Sequence, residues 1–228
     1  MIAIIGAMEE EVALLKGQLS NLKETQVAHT RFYHGTLANK EVVLLQSGIG
    51  KVNVAISTAL LIHMFNPDYV INTGSAGGLQ SGLNLGDVVV STHVSYHDAD
   101  ARAFGYEMGQ IPGMPSQYQA DETLIQAVHR VLQSLNQNAM DGLIVSGDSF
   151  IGTDQQRTAI LEYFPHAIAA EMEAAAVAQT CFQFDKPFIV TRAISDLADA
   201  QASMTFDEFL KVASKSSSEM VYELVKEL

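Results

Sequence analysis

Acidic side chains stand repeatedly at the ends of apolar runs in this sequence. "IAIIGAMEEEV", residues 2–12, passes from a buried-looking stretch straight into Glu9, Glu10 and Glu11. "AIAAEMEAAAVAQ" sets Glu173 among alanines, and "FIVTRAISD" ends on Ser195 and Asp196. Carboxyl groups that share a cleft but sit in different surroundings have separated pKa values, which lets one act as acid while another acts as base. Proton transfer by paired carboxyls is therefore the chemistry these residues suggest.

Helical phasing separates the three neighbouring glutamates. At about 100° per residue, Met8, Val12, Leu15, Leu19 and Leu22 cluster on one side, with Glu11 at its margin and Glu9 and Glu10 turned away. Glu9 and Glu10 are accounted for as acids complementing the positive end of a helix dipole. Glu11 alone can reach a cleft. Burying the Glu173 carboxylate among alanines is costly unless partners or a ligand supply hydrogen-bond donors. Asp196, taken singly, reads as the N-cap of a following helix. Taken with Glu11 and Glu173 at one sheet edge, it reads as part of an acid/base set.

The elements that must bring these residues together are short runs rich in Val and Ile. They are "IAIIG", "EVVLLQSGIG", "YVINTGSAGG", "GDVVVSTHVSY", "GLIVSGDSF", "AIAAEME" and "PFIVTRAISD". Helix-like stretches lie between many of them, so the pattern predicts an α/β fold with a mostly parallel or mixed sheet and helices on both faces. In open sheets of this kind ligands collect outside the carboxyl ends of the strands. Glu9 to Glu11, Ser75, Asp148 with Ser149, Glu173, and Ser195 with Asp196 all fall there, so five strand ends are expected to converge on an acidic, cation-poor cleft. "HDADARAFGYEMGQIPGMPSQY" breaks the regularity and reads as a long loop of functional or interfacial use. "TFDEFLKVASKSSSEMVYELVKEL" opens with Thr205 three residues before Glu208, a capping-box spacing, and predicts a terminal helix.

The 228 residues, 48% of them apolar, suffice for one continuous core, and no linker, repeat or low-complexity tract divides them. One domain over residues 1–228 is expected. Thirteen Lys and Arg against 26 Asp and Glu give a formal charge of -13. Such a surface repels phosphate backbones and anionic lipid, which disfavours nucleic-acid and membrane partners. The N-terminus lacks the basic stretch of a signal peptide, and apolar runs fall short of the roughly 20 residues that cross a bilayer. A cytoplasmic location is expected. Cys181, the one cysteine, excludes an internal disulfide and reads as a packed helix residue.

Other motifs fail on inspection. "SGIGKVN" lacks the full phosphate-loop spacing and has Val52 where a metal-binding hydroxyl belongs. "TGSAGG" falls short of a dinucleotide-binding glycine pattern, although its glycines allow a backbone to approach a ligand closely. His93 and His97 are four apart but lack the accompanying glutamate of a helical zinc site.

The ordered set "IIGAMEEEV", "SGIGKVN", "INTGSAGGL", "YHDAD", "AFGYE", "GLIVSGDSFI", "EMEAAAVA" and "RAISDLAD" resembles the bacterial 5'-methylthioadenosine/S-adenosylhomocysteine nucleosidases over essentially the whole chain. The resemblance implies a single-domain, three-layer α/β/α fold of nucleoside phosphorylase type, with a mixed, mostly parallel twisted sheet. It implies a homodimer that needs no metal or cofactor. The implied reaction hydrolyses the N-glycosidic bond of methylthioadenosine, S-adenosylhomocysteine and, by extension, 5'-deoxyadenosine, in methionine salvage and the activated methyl cycle.

By position in the motifs, Glu11 corresponds to the base for the attacking water, Asp196 to the acid at adenine N7, and Glu173 to the group holding the ribose hydroxyls. Phe150 corresponds to the residue stacked on the purine and Ile151 to the main chain at its edge, with Ser75, Ser195 and Arg192 in support. Met8, Ile49, Met172 and Phe206 match the wall around the ribose and 5' group. Ala101, Phe104, Tyr106 and Pro112 match residues that reach the site from the other subunit, Ala101 departing from the valine common there. Two alternatives stay open: a phosphorolytic relative, disfavoured by the absence of arginine in the first turn, and an adenosine-binding module without catalysis.

Overall fold

The computed structural model describes residues 1–199 and 201–228. β1 (Ile2–Gly6) is buried throughout and leads through Ala7 and Met8 into α1 (Glu9–Gln18). There follow β2 (Ser20–Val27), β3 (Thr30–Leu37), β4 (Lys40–Gln46), α2 (Lys51–Phe65) and β5 (Tyr69–Asn72). β6 (Ser75–Gly78) and β7 (Val88–Tyr96) precede the long loop, which carries a single 3-10 turn at Arg102–Phe104 and ends at β8 (Tyr118–Gln119). The remainder is α3 (Glu122–Ser134), β9 (Ala139–Ser146), α4 (Asp154–Tyr163), β10 (Ala167–Glu171), α5 (Ala174–Gln183), β11 (Phe188–Asp196) and α6 (Ala202–Glu227).

The strands form one mixed sheet in the order β2-β3-β4-β1-β5-β11-β6-β10-β9-β7-β8. β11 is its pivot. Its first residues pair in parallel with β5, its middle pairs antiparallel with β7, and its end pairs in parallel with β6. Because β6 also joins β10, β10 joins β9 and β9 joins β7, that half of the sheet closes on itself as a ring. β1, β10 and β11 are buried at every position, as expected for strands covered on both faces. Five of the helices form two groups: α1 and α3 each pack on α6, and α2 packs on α5. No helix among the described residues is long and apolar enough to cross a membrane.

Three expectations need correction. The apolar phase through Leu19 and Leu22 does not continue one helix: α1 ends at Gln18, Leu19 caps it in an extended conformation, and Leu22 lies exposed on β2. The hairpin of β2 and β3 has no counterpart among the expected strands, since β2 is polar and almost wholly exposed, an edge strand without apolar alternation. The terminal helix begins at Ala202, three residues before Thr205, whose hydroxyl donates to Gln201 O within the helix instead of capping it. The mixed sheet is as expected, and its strands differ in direction at the site. β7, β9 and β10 run against β6 and β11, and their ends meet because the sheet curls into a ring.

Candidate active site

β6 lines one wall of a cavity of about 370 Å³ through Ser75, Ala76 and Gly77. Gly77 pairs with Asp196 of β11 on one side and with Ala170 of β10 on the other. The carboxyls of Glu11, Glu171, Glu173 and Asp196 belong to residues that line this cavity, and none of the described lining residues is Lys, Arg or His. Of the expected convergence, Glu11, Ser75, Glu173, Ser195 and Asp196 are present and Glu171 is added; Asp148 does not line the cavity and accepts from Lys51 N, and Ser149 lines an adjoining recess instead.

Glu11 sits in the first turn of α1 and is buried, while Glu9 and Glu10 are exposed. Its Oε2 accepts from Ala7 N at 2.8 Å and Met8 N at 3.1 Å, so it satisfies N–H groups at the helix start. Its Oε1 accepts from Ser75 N at 3.0 Å and Ser75 Oγ at 3.1 Å. Four donors fix the carboxylate, and Gly74 makes room for it: a Cβ there would lie 2.7 Å from Glu11 Oε1. Helix capping and placement in the cavity coincide in one residue.

Asp196 ends β11 and is not the N-cap of α6, which starts six residues later. Its Oδ1 accepts from Ala198 N at 2.9 Å and its Oδ2 from Ser195 Oγ at 3.0 Å. Burial holds its proton more firmly than an ordinary aspartic acid does, only partly offset by those two donors. A carboxyl that keeps its proton can deliver one. Gly77 is the permissive neighbour, since a Cβ there would lie 2.8 Å from Asp196 Oδ1.

Glu173 is the N-cap of α5 but makes no capping hydrogen bond through its side chain. Its Oε1 accepts from Gly50 N at 2.9 Å, across 123 residues of chain. Burial first, and the nearby Glu171 carboxylate second, raise its pKa to about 8, against the pull of Arg192. Arg192 is 2% exposed and does not line the cavity. Its Nη2 bonds Glu171 Oε2 and Asn72 Oδ1, each at 2.6 Å. Glu171 is the residue that sequence reasoning missed. The available signal was a second glutamate two positions before Glu173, at the same strand end.

Met8, Ile49, Met172, Phe150 and Phe206 supply the apolar wall, with Ser75 and Ser195 as polar neighbours. Phe150 and Phe206 meet edge to face with centroids 5.8 Å apart. A recess of about 30 Å³ adjoins the cavity, lined by Ile151 together with Phe150, Met172 and Asp196. The N-terminus of α2, which superficially resembles a phosphate loop, is occupied by carboxylates: Gly50 N serves Glu173 and Lys51 N serves Asp148 at 2.8 Å. Among the described residues no group of three or more His, Cys, Asp or Glu gathers as a metal site would. Cys181 is buried in α5. Ala101, Phe104, Tyr106 and Pro112 are not brought to this cavity; Phe104 lies on the long loop, 83% exposed.

A sequence profile of the phosphorylase superfamily matches residues 1–226. The chain is 59% identical over 228 residues to the 5'-methylthioadenosine/S-adenosylhomocysteine nucleosidase of Staphylococcus carnosus, covering all of both chains. It belongs to that nucleosidase family. Solved nucleosidases of the family agree in fold. The structure from Neisseria meningitidis, in complex with methylthio-immucillin-A, superposes with a TM-score of 0.98 at 48% identity, covering 100% of this chain and 99% of that one. The structure from Colwellia psychrerythraea, in complex with adenine, gives 0.96 at 44% identity, covering 100% and 95%.

Proposed function

We propose that this nucleosidase hydrolyses 5'-methylthioadenosine and S-adenosylhomocysteine to adenine and the corresponding 5'-thioribose. The observation that carries this reading is a cavity holding a proton-retaining Asp196 and a four-fold hydrogen-bonded Glu11 with no cation in its described lining. Glu11 bonds Ser75, and Asp196 pairs with Gly77 two residues along β6. At about 3.3 Å per residue the β6 positions that the two residues neighbour are roughly 7 Å apart along the strand, which sets the acid and the base at different points of one wall.

In the reaction the C1'–N9 bond breaks as Asp196 gives its proton to adenine N7, so the base leaves neutral. Water attacks C1' and gives a proton to Glu11, forming the new C1'–O bond. Solvent exchange then returns both carboxyls to their starting states. Positive charge developing on the ribose is favoured by the surrounding acids, more so than the neutral substrate is. Glu173 faces the ribose hydroxyls, and its carboxyl, which retains its proton, exchanges hydrogen bonds with them. Phe150 stacks on the purine, the Ile151 main chain meets its edge, and Met8, Ile49, Met172 and Phe206 surround the ribose and 5' group. Ser75 and Ser195 steady Glu11 and Asp196, and Arg192 acts from behind through Glu171.

A homodimer completes the site in this reading. Val52 and Ile56 of α2 are 68% and 53% exposed, and Phe104 stands out on the long loop, an apolar set whose burial against a second copy would deliver Ala101, Phe104, Tyr106 and Pro112 to the 5' end of the partner's cavity. We place the enzyme in the cytoplasm. Adenine release from both nucleosides, measured with and without phosphate and with a chelator, tests the reaction. Equal rates in all conditions are expected; a requirement for phosphate would make the enzyme a phosphorylase, and no release at all would leave only a binding protein.

A further inference from the structure

The buried pair of Glu171 and Arg192 transfers no proton in the reaction just described, yet Glu171 lines the cavity and Arg192 holds it from behind. Among the described residues Arg192 is the largest fully buried side chain, and its ion pair with Glu171 is 2.6 Å long. An isolated pair of this kind is a poor source of stability, because desolvation offsets the attraction. What Glu171 touches gives it another use. Its Oε2 accepts from Glu173 N at 3.0 Å and Ala174 N at 2.9 Å. Its Oε1 accepts from Ala174 N at 3.1 Å and from the hydroxyl of Ser146. That hydroxyl in turn accepts from Ala175 N at 2.8 Å.

The opening N–H groups of α5 are therefore satisfied by Glu171 and Ser146, both from the ends of neighbouring strands. A helix start ordinarily draws the side chain of its own N-cap residue back onto those donors. At Glu173 the donors such a side chain would take are engaged, Ala175 N by the Ser146 hydroxyl that Glu171 fixes and Ala176 N by the Glu173 carbonyl, and its carboxyl extends instead to Gly50 N and the cavity. On the reading that Glu173 engages the ribose hydroxyls, we propose that Glu171, anchored by Arg192, is the positioning residue that frees Glu173 from the helix cap and aims it at the sugar. Glu171 also acts on the charge of Glu173, being the largest cause after burial of its retained proton.

The test is Glu171→Gln, which keeps the shape and loses the charge. It is assayed on methylthioadenosine and on the same nucleoside lacking the 2'- and 3'-hydroxyls. On the full substrate kcat/KM should fall about 10- to 100-fold, the scale of a charge-assisted hydrogen bond, mostly through KM. On the deoxy substrate the loss should stay under about threefold, because the contact that Glu171 aims is absent there. Without the Glu171 charge, the pH at which Glu173 titrates in the kcat/KM profile should move down. Equal losses on both substrates with an unmoved profile overturn the proposal.

Glu173→Gln, run beside it, separates the two claims. If that variant discriminates between the substrates and Glu171→Gln does not, the positioning role alone is wrong. If neither discriminates, the ribose assignment of Glu173 falls and the proposal with it. Should Glu171→Gln not fold, Ser146→Ala removes one donor and leaves the ion pair, and a hydroxyl-dependent loss of about threefold is expected from a single neutral hydrogen bond. An equal loss on both substrates there also overturns the proposal.

Discussion

Replacing Glu173 by Gln should change how stability depends on pH. The carboxyl titrates at about 8 in the folded protein against an ordinary value of 4.5. The folded state therefore binds this proton more tightly than the unfolded chain, and the group's contribution is complete below about 4.5 and is lost as pH rises through about 8. At about 1.4 kcal/mol per pH unit the whole difference has an upper bound of roughly 5 kcal/mol, and relaxation with water entry lowers it to about 2–3 kcal/mol. The amide of the Glu173→Gln variant has no such proton to lose. The variant should be no more stable than wild type at pH 4.5 and more stable by about 2–3 kcal/mol at pH 9. Denaturant unfolding at pH 4.5, 7 and 9 reads this directly. If the two proteins lose stability in parallel over that range, Glu173 is not a buried proton-retaining acid and the electrostatic account of this end of the cavity is wrong.

Glu11→Gln should lose at least about 10²-fold in turnover as the water loses its base, whereas Glu9→Gln and Glu10→Gln remove only exposed charges near a helix start and should remain active. Equal small losses in all three would place the base elsewhere. Gly77→Ala should force Asp196 and Ala198 apart from β6, since its Cβ would lie 2.8 Å from Asp196 Oδ1 and 3.2 Å from Ala198 Cβ. We expect a loss of stability of about 1–3 kcal/mol and of turnover by at least about tenfold. Gly17→Ala, where a Cβ meets nothing within 4 Å, is the control and should stabilise α1 by about 0.5–1 kcal/mol with unchanged turnover.

Helical phase and cost of burial were enough to separate Glu11 from Glu9 and Glu10 and to mark Glu173, because both signals are local. The strands β1, β4, β9 and β11 were legible for the same reason: continuous Val and Ile runs leave few alternatives. What escaped depends on distant partners. β2 is a strand only because β3 pairs with it, and its own residues carry no apolar alternation. Asp196 was open to reading as a helix cap because the connection after it is short; it is the pairing of β11 with β6 that places it in a strand. Glu171 was hidden beside an identical residue, and its partners Arg192 and Ser146 lie 21 and 25 residues away. Its role could not be read from a stretch in which it resembles any buried strand end.

The central claim is that Asp196 delivers the proton on which departure of adenine depends. It is tested most directly by the rate of adenine formation from methylthioadenosine with Asp196→Asn, which keeps an oxygen for Ala198 N and removes the titratable group. The account predicts a loss in turnover of at least about 10²-fold, the scale of general-acid catalysis, while affinity for a non-hydrolysable substrate analogue stays within about tenfold. Turnover within about threefold of wild type would contradict it.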